Sequence, residues 1–332
     1  MSRRIHTFGV VTLVAGAVLS SPDAASRNVL SKPQPQVVLE PGLGTVHFDP
    51  TTGTFLVDMT TPAGRSKFTY EPRTNVDVVV EAAVLYDRET SVFSYEYTLQ
   101  NMRTSKQAVS KFSVECDVES VDVHVPAGWW RVPSFGRPIV TWADKDNTPR
   151  GFAPGARLSG CSLRLARSKK IKASSPSGSK NEDAKALGGS LPGVVRCTAA
   201  GEAPVPSIPH LESMDEEDLR LPTPGEDVVS GRTVGPVSMP AISTPLERVQ
   251  QIKKYVGIGV EEGWISDGEV AGQYADILSG MEAALSETSA RGIVKDISKL
   301  AGRAENDFKD GKITSEAYAL VKYNLQNLMP GK

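Results

Sequence analysis

The hydrophobic period of the chain changes once, and that change limits the folds it can adopt. Between Val92 and Leu99, Phe93, Tyr95, Tyr97 and Leu99 alternate with polar neighbours, which places four large side chains on one face of a strand. Phe112, Val114, Cys116 and Val118 repeat the alternation, and so do Val121, Val123 and Val125 until Pro126-Ala127-Gly128 breaks it. After Thr244 the period becomes helical: Leu246, Val249, Ile252 and Val256 recur at three- and four-residue spacing. A β part followed by an α part is the expected order, with two separate domains.

Within the β part, Val46-His47-Phe48 and Thr54-Phe55-Leu56-Val57 flank a Gly-containing turn and predict a hairpin. Ile139 to Trp142, Leu158 to Leu165 and Gly193 to Ala199 read as further strands. Short strands between turn signals favour an antiparallel, immunoglobulin-like β-sandwich over residues 27–206. Residues 166–190 are rich in Ser, Lys and Gly, and read as a flexible insertion between two strands. Residues 207–244 carry many prolines and the acidic run Asp215-Glu216-Glu217-Asp218, which reads as a linker.

Residues 245–329 predict an antiparallel bundle of about four helices. Thr244-Pro245-Leu246-Glu247 is a capping box with proline at the first helical position, and Ser266-Asp267-Gly268-Glu269 offers a second. The later apolar stripes run through Val270, Tyr274, Ile277, Met281 and Leu285, then Ile293, Ile297, Leu300, Ala304 and Phe308. The last runs through Ala317, Leu320, Val321, Leu325 and Leu328. Two helix junctions, Glu262-Gly263-Trp264-Ile265-Ser266 and Asp310-Gly311-Lys312-Ile313-Thr314, share the form acid-Gly-x-Ile-hydroxyl. The glycine suits a left-handed helix end and the hydroxyl suits the next cap.

On these paired junctions and the small-residue helices between them, Leu246 to Met329 resembles the FIMAH-type helical domain of exported or membrane-associated hydrolases. The resemblance covers about a quarter of the chain and implies an accessory or interaction module, with no catalytic residue to carry over. Tyr95-Glu96-Tyr97-Thr98-Leu99-Gln100-Asn101, Pro126-Ala127-Gly128-Trp129 and Leu191-Pro192-Gly193 resemble exported bacterial β-sandwich domains without an assigned activity.

Arg3-Arg4 precedes the apolar run Phe8 to Leu19, and small residues follow at Ser20 to Ser26. The run is shorter than the roughly 20 residues that span a bilayer, so residues 1–26 predict a signal peptide and a secreted, periplasmic or cell-surface protein. Cys116, Cys161 and Cys197 then meet an oxidising compartment. Cys161 and Cys197 flank the polar insertion and are the favoured disulfide pair; three buried thiols are the other reading. With 37 basic and 39 acidic residues, the chain is not built to coat nucleic acid. No later segment is apolar enough to span a membrane.

Chemistry is sparse. His47, His124 and His210 show no metal-ligand spacing, the cysteines show no C-x-x-C, and no G-x-S-x-G elbow is present. Threading the helix junctions onto a calcium loop puts Phe308 and Ala317 where oxygen ligands are needed, so neither metal nor cofactor is expected. The candidate ligand-binding residues are Trp129 and Trp130, with Trp142 nearby. Adjacent strand residues point to opposite faces, so one of the pair is free for a sugar ring or a protein partner. The basic run Arg164, Arg167, Lys169, Lys170 and Lys172 reads as a solvated loop or an anion contact. The expected function is an exported noncatalytic binding or scaffold module with an interaction appendage. Its partner is an extracellular polysaccharide or another surface protein. The alternatives are a carbohydrate- or cell-wall-binding protein, and a hydrolase with paired carboxylates in the β domain.

Overall fold

The computed structural model describes residues 29–30, 38–39, 44–49, 51–61, 64–71, 74–87, 89–90, 92–116, 121–134, 138–145, 151–165, 190–201, 219–220, 228–238, 244–286 and 293–328. The expected signal peptide, the expected insertion up to residue 189, His210 and most of the expected linker lie outside these residues. In chain order the first strands are β1 (Val38–Leu39), β2 (Gly44–Asp49), β3 (Thr54–Thr61), β4 (Gly64–Tyr70), β5 (Val78–Asp87), β6 (Val92–Asn101) and β7 (Val109–Glu115). Then come β8 (Val121–His124), β9 (Trp129–Val132), β10 (Ile139–Asp144), β11 (Arg157–Leu165), β12 (Leu191–Gly201), β13 (Leu219–Arg220) and β14 (Val229–Val237). The helices are α1 (Pro245–Glu261), α2 (Gly268–Ser286), α3 (Ile293–Lys309) and α4 (Ser315–Gln326). Antiparallel sheets followed by four helices are the architecture of the described residues.

The sheets are a four-stranded one ordered β5-β6-β11-β8, a five-stranded one ordered β14-β12-β7-β10-β9, a β2-β3-β4 meander and the β1-β13 pair. The two large sheets meet through aromatic side chains. Tyr97 of β6 lies 5.8 Å from Phe112 and 6.0 Å from Trp142, and those two rings stack at 5.6 Å. The Tyr97 hydroxyl donates to the Val234 carbonyl of β14, and Trp142 Nε1 donates to the His124 carbonyl of β8. Each sheet is thereby tied to the other near both lateral edges. The four alternating residues of β6 all point inward, with exposures of 8% or less.

The β2–β3 turn forms as the sequence expects. Asp49 accepts from Thr51 N–H and from the Thr52 hydroxyl, and Gly53 turns the chain at φ +69°. The meander has its own small core of Phe55, Val57, Met59 and Tyr70.

Strand β14 lies inside the stretch that reads as linker. Its alternation is hidden by Gly231, Gly235 and Pro236, yet it pairs with β12 over nine residues. Position explains the composition. An edge strand tolerates proline, and a Cβ on Gly235 would sit 2.7 Å from Val195 Cγ2.

Helices α1 to α4 pack as a ring in which each touches two neighbours. The α1 capping box forms with both of its hydrogen bonds. The second cap is shifted by one residue: Asp267, rather than Ser266, accepts from Glu269 and Val270 N–H, while the Ser266 hydroxyl reaches the Lys312 carbonyl. The two similar junctions pair with each other. Gly263 and Gly311 both adopt φ +71°, and Ile265 and Ile313 form an antiparallel bridge. Both isoleucines are 3% exposed, so the repeat is a packing device that joins the α1–α2 and α3–α4 hairpins.

The bundle is not held at a distance from the sheets. Helix α4 packs on β5, β12 and β14, and one contiguous core joins sandwich and bundle. Ser315 and Glu316 hydrogen-bond to the backbone of Ala82, the Tyr323 hydroxyl donates to the Val84 carbonyl, and Asn324 Nδ2 donates to the Pro192 carbonyl. Farther along β5, Leu30 N–H donates to the Val78 carbonyl. The outward edge of β5 is thus met in turn by Leu30 and by α4, which blunts an otherwise bare sheet edge.

Candidate functional site

The three candidate tryptophans take three different places. Trp142 is fully buried between the sheets. Trp129 is half-buried and faces inward, with its ring 6.1 Å from Phe152. Trp130 faces out and is 43% exposed. It sits on β9, the edge strand of the five-stranded sheet on the side away from β14. Trp129 and Trp130 therefore divide between core and surface as strand alternation requires.

Register then places Trp130 at one corner of the outer face of that sheet. Across β10, β7 and β12 its row continues through Ala143, Lys111 and Ala200, two alanines and one exposed lysine. Directly across from the indole stands Ala143, and two residues along β9 the same face carries Val132. Two residues along each strand, the next row holds Val132, Thr141, Ser113, Thr198 and Ser230, with Thr141 only 7% exposed. The Ser113 and Thr141 hydroxyls lie 2.9 Å apart and hydrogen-bond.

Beyond that row the face ends in a cleft of about 460 Å³ lined by Glu115, Pro138, Ile139, Val194 and Arg196, with Cys116 also reaching it. Arg196 and Glu115 approach to 4.0 Å there and both are exposed, so the pair contributes little to stability. The neighbouring Arg232 is held by Glu261 and Glu262 of the α1 end. The face thus offers, in order, an aromatic ring, a band of hydroxyls, and a charged cleft with apolar walls. Sequence reading named Trp129, Trp130 and Trp142 as candidates and did not name the other residues of this face among them. Of these, Ser113, Glu115 and Thr141 are the polar neighbours of Phe112, Val114 and Trp142 along their strands.

The cysteines are buried free thiols, and the expected Cys161–Cys197 bridge is not made in the structure. Cys161 stands opposite Tyr97 in the β11–β6 register, and Cys197 faces inward from β12. All three thiols lie near enough to influence the Tyr97 hydroxyl. Burial pushes the Cys161 thiol up to about 12 and raises Cys197 as well, which keeps both protonated and poorly nucleophilic at neutral pH.

Buried acids outside this face have structural partners. Asp307 accepts from the Tyr274 hydroxyl at 2.9 Å and lies 3.4 Å from Arg303 Nε, which ties α2 to α3. Of the basic run, Arg164 lies 3.3 Å from Asp87, and its other members fall outside the described residues. Among the described residues no group of three or more His, Cys, Asp or Glu is arranged to hold a metal ion. No helix among them is long and apolar enough to cross a membrane.

No family model matches the chain, and no curated protein and no solved structure shows significant similarity to it.

Proposed function

We propose that this chain is an exported, noncatalytic carbohydrate-binding module, with the outer face of the five-stranded sheet as its binding surface and the bundle as an accessory unit. The observation that carries the reading is Trp130, which is 43% exposed on a sheet edge, faces Ala143 on the next strand, and stands one row from a line of hydroxyl side chains. A flat indole covers the apolar face of a sugar ring, and the half-buried Ser113, Thr198 and Ser230 hydroxyls farther across the sheet can exchange hydrogen bonds with the sugar's own. Replacing Trp130 with alanine is expected to abolish retention on whichever insoluble polysaccharide or peptidoglycan retains the wild type. Its thermal midpoint should stay almost unchanged, because an exposed edge residue contributes within about 0.5 kcal/mol. Failure of the wild type to bind any such polymer would sink the proposal.

An immunoglobulin-like description draws support from neighbour order. The arrangement β5-β6-β11-β8 follows an A-B-E-D sheet, and β14-β12-β7-β10-β9 follows a G-F-C sheet extended by two strands. The chain departs in visiting β8 before β9 and β10. For the FIMAH-like reading of the bundle, the support is the Ile265–Ile313 bridge between glycines of identical conformation.

Export rests on the N-terminal pattern of basic residues, apolar run and small residues. Protein recovered outside a producing cell is expected to show the mass of a chain lacking about the first 20 to 26 residues. A full-length mass would return the protein to the cytoplasm. Alkylation before and after reduction would show whether the buried thiols pair in the exported chain.

A further inference from the structure

Glu316 is 4% exposed, a rare position for an acid, and the groups around it suggest why it is tolerated. Ala82 N–H donates to Glu316 Oε1, and the Ser315 hydroxyl donates to the Ala82 carbonyl. Ser315 Oγ also lies 3.1 Å from Glu316 Oε2. A hydroxyl has one hydrogen and a carbonyl has none. With the Ser315 hydrogen committed to Ala82, only oxygen lone pairs face each other across the last contact. A proton on Oε2 converts that contact into a hydrogen bond and closes a ring in which every donor has one acceptor.

The geometry points to Glu316 docking the helical bundle on the β5 edge as an uncharged carboxylic acid, with ionisation weakening the dock. Burial raises the carboxyl above its ordinary range and outweighs the Ala82 N–H and the Thr314 hydroxyl, which favour the charge. Many charged groups on the packed elements are engaged elsewhere. Glu81 and Asp87 of β5 pair with Arg157 and Arg164, Arg196 of β12 with Glu115, and Arg232 of β14 with Glu261 and Glu262. Lys322 of α4 and Lys309 of α3 bind Glu305, Arg303 and Lys312 approach Asp307, and Arg248 of α1 donates to the Asn327 carbonyl. The Tyr323 hydroxyl is on Val84. None of these supplies a counter-charge to Glu316.

The sign follows from proton linkage. An acid whose folded-state pKa is raised holds more protons in the folded chain, so stability falls as pH climbs from the ordinary carboxylate value of 4.5 to the raised one, then levels. Glu316→Gln keeps the ring, since its amide N–H donates to Ser315 Oγ, but it cannot titrate. The ratio of wild-type to Glu316→Gln unfolding constants is expected to grow about tenfold per pH unit across that window. A ratio that shrinks with rising pH would make the carboxylate the docked form, and a flat ratio would remove the effect; either overturns the inference. If Glu316→Gln does not fold, hydrogen exchange of the Ala82 amide in the wild type decides instead. After correction for the intrinsic rate, its protection should fall as pH rises, and constant or rising protection contradicts the neutral dock.

Discussion

Replacing Trp142 with alanine is expected to cost about 3–5 kcal/mol of folding stability, enough to unfold a large share of a domain of ordinary stability. Trp142 is fully buried, and it performs three tasks at once. Its ring stacks on Phe112 within the five-stranded sheet and meets Tyr97 of the opposing sheet edge-on at 6.0 Å. Its Nε1–H donates to the His124 carbonyl of β8, which joins the two sheets on the side away from α4. Alanine removes all three and leaves a cavity that neighbouring strands, fixed by their ladders, cannot fill. Trp142→Phe separates the tasks. It retains most of the ring contacts and loses the donor, for an expected loss of about 1–2 kcal/mol beyond the small change in volume. Urea denaturation of both variants measures the difference. A Trp142→Ala loss below that of Trp142→Phe would mean that the sheets do not depend on this contact.

The legible parts of the fold were those with one wet face. Strand β6 could be read because Ser94, Glu96, Thr98 and Gln100 alternate with the buried aromatics. Its neighbour β5 gave no such signal, because Val78, Val79 and Val80 are all buried and the strand opens as a continuous apolar run. Sequence placed the helices well for a related reason: Val249, Ile252 and Val256 form a single stripe. Helix α4 is different. Glu316, Ala319 and Asn324 are buried beside the expected Ala317, Leu320, Val321 and Leu325, which surrounds the helix with contacts. A small alanine, an acid and an amide read as a solvated face when they instead meet another layer. The candidate site suffered the same ambiguity. Ser113, Thr141 and Thr198 look like any polar half of a strand, and only the register aligns them beside Trp130. An adjacent pair of tryptophans was the one feature of that face whose alternation announced an exposed ring.

Removing residues 244–332 is expected to leave a sandwich that does not fold on its own, although the sequence reads it as an independent domain. The bundle covers one lateral edge of both large sheets, through α4 on β5, β12 and β14. Without it the Ala82 N–H and carbonyl and the Val84 and Pro192 carbonyls lose the partners that α4 supplies. Phe93 also loses the Tyr323 ring packed edge-on at 5.2 Å, and Gly193 loses the cover of Tyr255, whose hydroxyl sits close above it. Burial of a large apolar side chain is worth about 1.5–3 kcal/mol, and each stranded buried polar group costs about 1–3 kcal/mol. A handful of such losses equals the roughly 5–15 kcal/mol that holds a whole domain together. The shortened chain should therefore show broad, non-cooperative melting and ready proteolysis, and its bare β5 edge should promote aggregation. The full chain should unfold in a single transition, with Trp142 in the sandwich and Trp264 in the bundle reporting the same midpoint. Two separated midpoints, or a shortened chain that melts cooperatively at the wild-type temperature, would restore the bundle as an appendage whose contacts with β5 carry no stability.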